Sequence, residues 1–532
     1  MASVHMLVNG TMEDVRLVAF SAEDPERAAN WSTRRKILVL IIGLALASNS
    51  TLGSSLPSGA SHYLSKEFNI SSAEQLALPN SVYLIGYVFG PPLFSPLSEM
   101  HGRKVVMLWT FFGFTIFTLA CALAPTWAAL LVFRFLSGAF ASAPITVVGG
   151  IFSDIYDDPV RRGQAIALIG LTSLGPIIGP IISGFVSPVS WRWTFWVGLI
   201  IAGATWPLVL LLPGTILDID YDKIWLTCAL ETYPPVILLR RAKRMRAASP
   251  ADHAQNVYAP IELENNGWKH TVTVKLARPV VMFKEPIVIC TCMYLALQFG
   301  IFYIFFQVYP IVFQGVYKFN DGLAGVALIP VGVGGVIGCG IAIWYDKFLK
   351  QAKERNAEWP KSEEYRRLPL ACISGPLNVS SLFWLVRLPR PLAGIGWTAR
   401  SDIHWIVPML AGVPFGIGLE LVFISMLNYL ADAYEIFAAS ALASSAFSRS
   451  IFAVLLPLAA SPMYEKLGIP WACSLLGFLS LAMAIIPFVF LRYGTWLRMH
   501  SPYCQELLKL KERESTNTSQ VMVESRNIRE TT

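Results

Sequence analysis

Residues Ser95–Leu108, SPLSEMHGRKVVML, set Glu99, His101, Arg103 and Lys104 within six positions between two long apolar runs. Runs like these recur along the chain. A helix of roughly 18 or more apolar residues covers about 30 Å of hydrocarbon. Twelve runs meet that measure, near 37–58, 77–97, 105–124, 128–151, 164–187, 191–212, 286–313, 322–345, 369–386, 403–430, 437–460 and 470–492. The charged knot is then a short loop facing headgroups between the second and third. Composition agrees, since the 532 residues are 54% hydrophobic and only 14% charged. That is too little charge to cover a soluble surface of this size. An all-α polytopic membrane protein is expected.

Lys and Arg fix the orientation. With an even number of spans, both termini share one side. That side collects Arg34, Arg35, Lys36, the Arg103–Lys104 knot, Arg161, Arg162, the loop 213–285, the loop 346–368 and the tail. It holds about 33 of the 42 basic residues, against about 7 opposite,. Termini and central loop are therefore expected in the cytoplasm. The net charge of +7 follows from this asymmetry beside anionic lipid, and nucleic acid is not needed to explain it,. The first 36 residues are polar, so no cleavable signal is expected and the first span is expected to act as its own insertion signal,.

Organisation follows from the loops. Segment 1–36 reads as a cytoplasmic N-terminal segment, 37–212 as a first six-helix bundle, 213–285 as a cytoplasmic linker, 286–492 as a second bundle and 493–532 as a cytoplasmic tail. Two bundles around a long loop form a recurrent plan of secondary transporters. IWYDKFLK after span 8 is a faint counterpart of LSEMHGRK after span 2. No GxxxxGK[ST] occurs, so ATP is not expected to drive transport directly. The spans show no paired His ligands, HExxH or Ser-centred nucleophile elbow, and most cysteines sit in apolar runs as small hydrophobes. No enzyme, metal site or cofactor is expected. Uphill movement would draw on an ion gradient.

Ionisable groups inside spans are costly and default to function. Arg134 lies in span 4, Glu420 in span 10 and Arg449 in span 11. Glu420 and Arg449 sit at similar depth on neighbouring antiparallel helices, so an ion pair between them is feasible. Glu420 is otherwise a proton or cation-substrate site, or peripheral. Softer cavity candidates are Tyr83 and Tyr87 on span 2, Tyr294, Gln298, Tyr303 and Gln307 on span 7, and Asn428 on span 10. Aromatic and amide groups suit a broad amphipathic cavity, although such stripes also serve helix packing. Gly175, Gly179 and Ser183 recur every four residues in span 5, a smooth stripe for close packing, and Pro176 and Pro180 favour a kink. Asn69-Ile-Ser71 forms a glycan acceptor tripeptide on an outer loop.

These stretches carry a resemblance. SPLSEMHGRK resembles the signature between helices 2 and 3 of the major facilitator superfamily. Gly102, Arg103 and Lys104 match it, Glu99 stands for its acid, and Ser95 and Met100 depart from it. RFLSGAFASAP, with Arg134 and Gly138, resembles the family's span-4 motif. GLTSLGPIIGPIISGF resembles the antiporter motif through Gly175, Pro176, Gly179, Pro180 and Gly184. LNYLADAYEIFAASALASSAFSRSIF and ETYPPVILLRRAKRMR are similar to stretches of fungal drug:proton antiporters with twelve spans. Together the resemblance covers about 31–510.

It implies the major facilitator fold, two six-helix bundles opening a central cavity to each side in turn. It also implies proton-coupled efflux of small amphipathic molecules: drugs, secondary metabolites or polyamines. Glu99, Gly102, Arg103 and Lys104 would latch conformations, the span-5 motif would limit leak, and Arg134 would take part in proton coupling. A proton gradient would take the place of any cofactor. The protein would be monomeric, in the plasma or vacuolar membrane. Competing readings are a nutrient facilitator or symporter, and a non-transporting sensor on the same fold. Residues 214–230, GTILDIDYDKIWLTCAL, interrupt the family pattern and are expected to reflect a gene-model error such as a retained intron.

Overall fold

The structure is a computed structural model that describes residues 2–8, 11–21, 23–210, 231–248, 257–263, 278–356, 358–359, 362–384, 403–434 and 438–505. The 214–230 insert lies outside the described residues. Span 1 is Thr33–Ser55, span 2 Ala73–His101, span 3 Arg103–Ala122 and span 4 Trp127–Ile155. Span 5 runs from Pro159–Ile169 through a 3₁₀ turn into Leu174–Val186, and span 6 is Trp191–Leu210. After the linker, span 7 is Pro286–Gly315, and span 8 joins Asp321–Val326 to Ile329–Glu354. Span 9 is Glu363–Trp384, and span 10 joins Ile406–Leu410 to Gly412–Tyr434. One long helix, Ala438–Met499, is broken at Gly468 (φ 73°) into spans 11 and 12.

Ten of these stretches are long and apolar enough to cross a membrane; spans 2 and 9 fall short. Span 2 carries four internal prolines. Span 9 opens on Glu363, Glu364, Arg366 and Arg367 and holds Pro369 and Pro376. Its expected end at 386 lies beyond the described residues. Local chemistry sets several helix starts: Ser72 Oγ accepts from Gln75 N–H, Thr126 Oγ1 from Ala129 N–H, and Asn320 Oδ1 from Leu323 N–H. Each satisfies an otherwise orphaned donor of the first turn.

The first bundle packs span 2 on span 4, span 3 on spans 4 and 6, and span 1 on span 5. The second packs span 8 and span 9 on span 10, and span 7 on the helix of spans 11 and 12. Span 5 meets span 8, and span 2 meets the 11–12 helix, so both pairs join the bundles. Apolar side chains such as Trp109, Ile200, Trp344, Phe478 and Ile485 face outward. In a soluble protein so much exposed apolar surface would drive association. Here it is the lipid-facing surface of a multi-pass membrane protein.

Outside the spans, β1 (Ala2–Val8) pairs antiparallel with β2 (Thr11–Leu17), and β2 pairs parallel with a short linker strand, β3 (Val257–Tyr258). Val18, Leu238, Ala242, Val257 and Ala259 form a small core beneath. The membrane face carrying this sheet is called the linker face below.

Candidate functional site

Arg134 is the largest fully buried side chain, 2% exposed in the first bundle. Its guanidinium donates to Pro79 O (2.9 Å), Gly53 O (2.8 Å) and Ser54 O (3.3 Å), and lies 4.3 Å over the Tyr83 ring. No described carboxylate pairs with it. Two of these carbonyls, Gly53 O and Ser54 O, lie where span 1 gives way to a 3₁₀ segment, Leu56–Ala60, in which Pro57 has no N–H to offer,; the third, Pro79 O, comes from span 2. One arginine thus ties spans 1, 2 and 4. Tyr83 donates to Ser50 O (2.7 Å), its ring meets that of Tyr87, and Tyr87 OH contacts Ser50 Oγ. Ser54 Oγ reaches Tyr303 OH of span 7 at 2.9 Å. Tyr83, Tyr87 and Arg134 therefore stand together, one hydroxyl from the second bundle.

The remaining span-7 candidates turn elsewhere. Tyr294 is fully buried near Gly375 of span 9. Gln298 donates to Ser480 Oγ of span 12 at 3.3 Å, and Gln307 Oε1 is buried without a hydrogen bond. Asn428 is buried in span 10.

The structure does not join Glu420 to Arg449. Arg449 lies over Phe423 (5.1 Å) and Phe299 (5.8 Å) and donates to Ser445 O (3.3 Å). Glu420, 4% exposed, accepts from Ser173 Oγ of span 5 at 3.4 Å. Equal depth on two helices does not put two side chains on facing sides. A peripheral position for Glu420 is also ruled out.

At the linker face, the Ser95–Leu108 knot turns on Gly102, whose φ of 103° and ψ of 150° only glycine adopts readily,. Span 3 begins at the next residue, and its first donors are taken by Glu231 beyond span 6: Arg103 N–H to Oε1 (2.6 Å) and Lys104 N–H to Oε2 (3.3 Å). A carboxylate at a helix start satisfies orphan donors and complements the helix dipole. The Arg103 side chain reaches Asp154 (3.4 Å) and Ser98 Oγ (2.8 Å) and lies 4.8 Å over Tyr233. Glu99 is half-buried on span 2. Asp154 and Glu231 were not singled out in the sequence, although Glu231 opens the quoted ETYPP stretch.

The second bundle repeats this arrangement. Arg366 and Arg367 at the start of span 9 reach Asp432 near the end of span 10 at 2.9 and 2.8 Å, as Arg103 reaches Asp154 between spans 3 and 4. Arg367 also meets Asp346 of IWYDKFLK at 3.6 Å.

In span 5, a Cβ on Gly175 would stand 2.8 Å from Leu52 N of span 1, and one on Gly184 would stand 2.5 Å from Asp321 O of span 8. Pro180 O lies 2.8 Å from where Gly325 would carry a Cβ. The glycine–proline stripe is wedged, backbone to backbone, between span 1 and the opposite bundle.

Comparisons with known proteins bear on this site. A family model described as Major Facilitator Superfamily matches residues 38–398. The chain is 36% identical over 493 residues to the MFS-type transporter acdC of Aspergillus candidus, covering 90% of this chain and 89% of that one. It is 35% identical to the major facilitator superfamily multidrug transporter mdrA of Aspergillus fumigatus (93% and 77% covered). It is 33% identical to the efflux pump FUBT of Fusarium oxysporum (93% and 79%). Among solved structures, the proton:xylose symporter XylE aligns with a TM-score of 0.59 at 14% identity, over 87% of this chain and 97% of that one. The human organic anion transporter MFSD10 aligns with a TM-score of 0.52 at 16% identity (88% and 99%).

Proposed function

Since the chain belongs to the Major Facilitator Superfamily and is a membrane transporter of its efflux-pump branch, we propose that it exports small amphipathic molecules against a proton gradient. Drugs, secondary metabolites and polyamines are the substrate classes. The bundles 37–212 and 286–492 rock about a shared cavity near Tyr83, Tyr87 and Tyr303. Arg103, Asp154 and Glu231, with Glu99, Gly102 and Lys104 beside them, latch one state at the linker face. Arg134, Glu420 and Arg449 handle charge. The protein works as a monomer without a cofactor, in the plasma or vacuolar membrane, with termini and linker in the cytoplasm.

The observation that carries the antiport reading is the seat of span 5. Gly175 and Gly184 bring its backbone against span 1 and the opposite bundle at once, where a seal between the cavity and the far face is needed to hold a gradient. Flux through sealed vesicles under an imposed pH gradient tests it, with a panel of drugs, spermidine and sugars. Accumulation of a drug or spermidine that collapses with the gradient is expected. Export indifferent to the gradient refutes antiport, and uptake of sugar alone favours the nutrient reading.

A further inference from the structure

Glu420 crosses from one bundle to the other. It rises from span 10, yet its hydrogen-bond donor, Ser173, belongs to span 5 of the first bundle. The first bundle's backbone is cut away to admit it: a Cβ on Gly170 would land on the Glu420 carboxylate. Span 8 leaves the same room, since a Cβ on Gly338 would stand 2.9 Å from Glu420 Cβ. Oε1 is buried and has no hydrogen-bond partner.

The surrounding charges are engaged elsewhere. From span 8, the Cys339 thiol donates to Ala167 O at 3.5 Å, while Asp346 meets Arg367. From span 9, Arg366 and Arg367 meet Asp432, and Glu364 meets Arg498 of span 12. From span 11, Arg449 lies on Phe299 and Phe423. From span 7, Tyr309 and Tyr294 stand beside Gly412 and Gly375. No described cation pairs with Glu420. The notch is filled by the carboxyl group itself and walled by Gly170, Gly338 and Ser173, so an organic cation has no room there. A proton does. A neutral carboxyl suits such a site, whereas an ionised one asks for water or a counter-charge.

We propose that Glu420 is a proton-dependent catch between the two bundles. Neutral, it sits in the Gly170 notch against Ser173 and holds spans 5, 8 and 10 together. When the bundles part, its O–H bond breaks, the proton passes to entering water, and the carboxylate is left solvated. Return of a proton from water restores the catch. This deepens the antiport reading and rests on it for the proton's source and fate.

Infrared spectra of the full chain in liposomes test the catch without a substrate. At neutral pH the wild type shows a protonated-carboxyl C=O band that Glu420→Gln removes. Gly170→Ala, whose methyl fills the notch, loses it too. A band unchanged in Glu420→Gln overturns the proposal, as does one that Gly170→Ala leaves intact. Should Gly170→Ala not fold, Ser173→Ala shifts the band to higher frequency, and an unshifted band is the overturning result. Rhodamine 6G flux in the same liposomes separates the two claims. Gradient-driven export and dye exchange that both fall at least tenfold in Glu420→Gln, whose amide cannot ionise and stays engaged, support the catch. Wild-type export or wild-type exchange in that variant overturns it. Wild-type export that ignores the gradient would remove antiport while leaving the infrared result to stand for the catch.

Discussion

Arg134 shows how a buried charge is held without a counter-ion. Three backbone carbonyls and the Tyr83 face share it, and hydrogen bonds to a charged donor are about twice as strong as neutral ones. Arg134→Gln is expected to lower stability by about 1–3 kcal/mol, because carbonyls it leaves are buried without a donor. Thermal unfolding in detergent reads this, and export in vesicles should fall at least tenfold beside it. The arginine was legible in the sequence as one basic residue inside an apolar run. Its partners were not, because they are main-chain carbonyls from the end of span 1 and from span 2, which no side-chain pattern marks. Glu420 and Arg449 show the converse: counting along two helices gives height but not azimuth, so a feasible pair becomes two separately housed side chains.

Among the helices, span 5 makes a sharp forecast. Gly175→Ala would force span 1 away from its backbone seat, and overpacking of this kind costs about 1–3 kcal/mol. The expected result is a protein that inserts but lets protons leak, seen as faster decay of an imposed pH gradient without substrate. The stripe was readable because small residues repeat at helical spacing, although which helix fills it was not. Linker helix Pro234–Ala248 supplies a pH forecast. Its Arg241 bonds Asp24 at 2.6 and 3.0 Å, and that guanidinium holds the Asp24 carboxyl below its ordinary range. A depressed carboxylate stabilises the docked arm above the free value of about 3.9 and gives that up as pH falls through the bound value. The arm should therefore stay docked at neutral pH and loosen only below about 4. Spin labels on Ser21 and Arg240 would report the distance, and Asp24→Asn should remove the step. The hairpin of this arm went unread even though Asn9-Gly10, a strong two-residue turn signal, lies between its strands.

Across the whole protein, the two-bundle plan was visible because hydrocarbon thickness imposes length and apolarity on every span. The paired ion clusters were harder to see. Arg103–Asp154 and Arg367–Asp432 each join residues more than 50 positions apart, and only folding makes the repeat evident. Topology yields one more expectation: Gly102→Cys and Arg244→Cys should react with an impermeant thiol reagent from the same side of sealed vesicles. Opposite sides would undo the bundle arrangement. The small sheet at the linker face, finally, has a consequence for biogenesis. β2 finds its parallel neighbour at Val257, 240 residues after Leu17. At roughly 5–20 residues per second that gap is about 12–48 s of synthesis. By then six hydrophobic helices have already left the ribosome for the bilayer. The nascent amino terminus must wait, incomplete, until half of the molecule has been delivered, so closure of the sheet timestamps a finished first bundle.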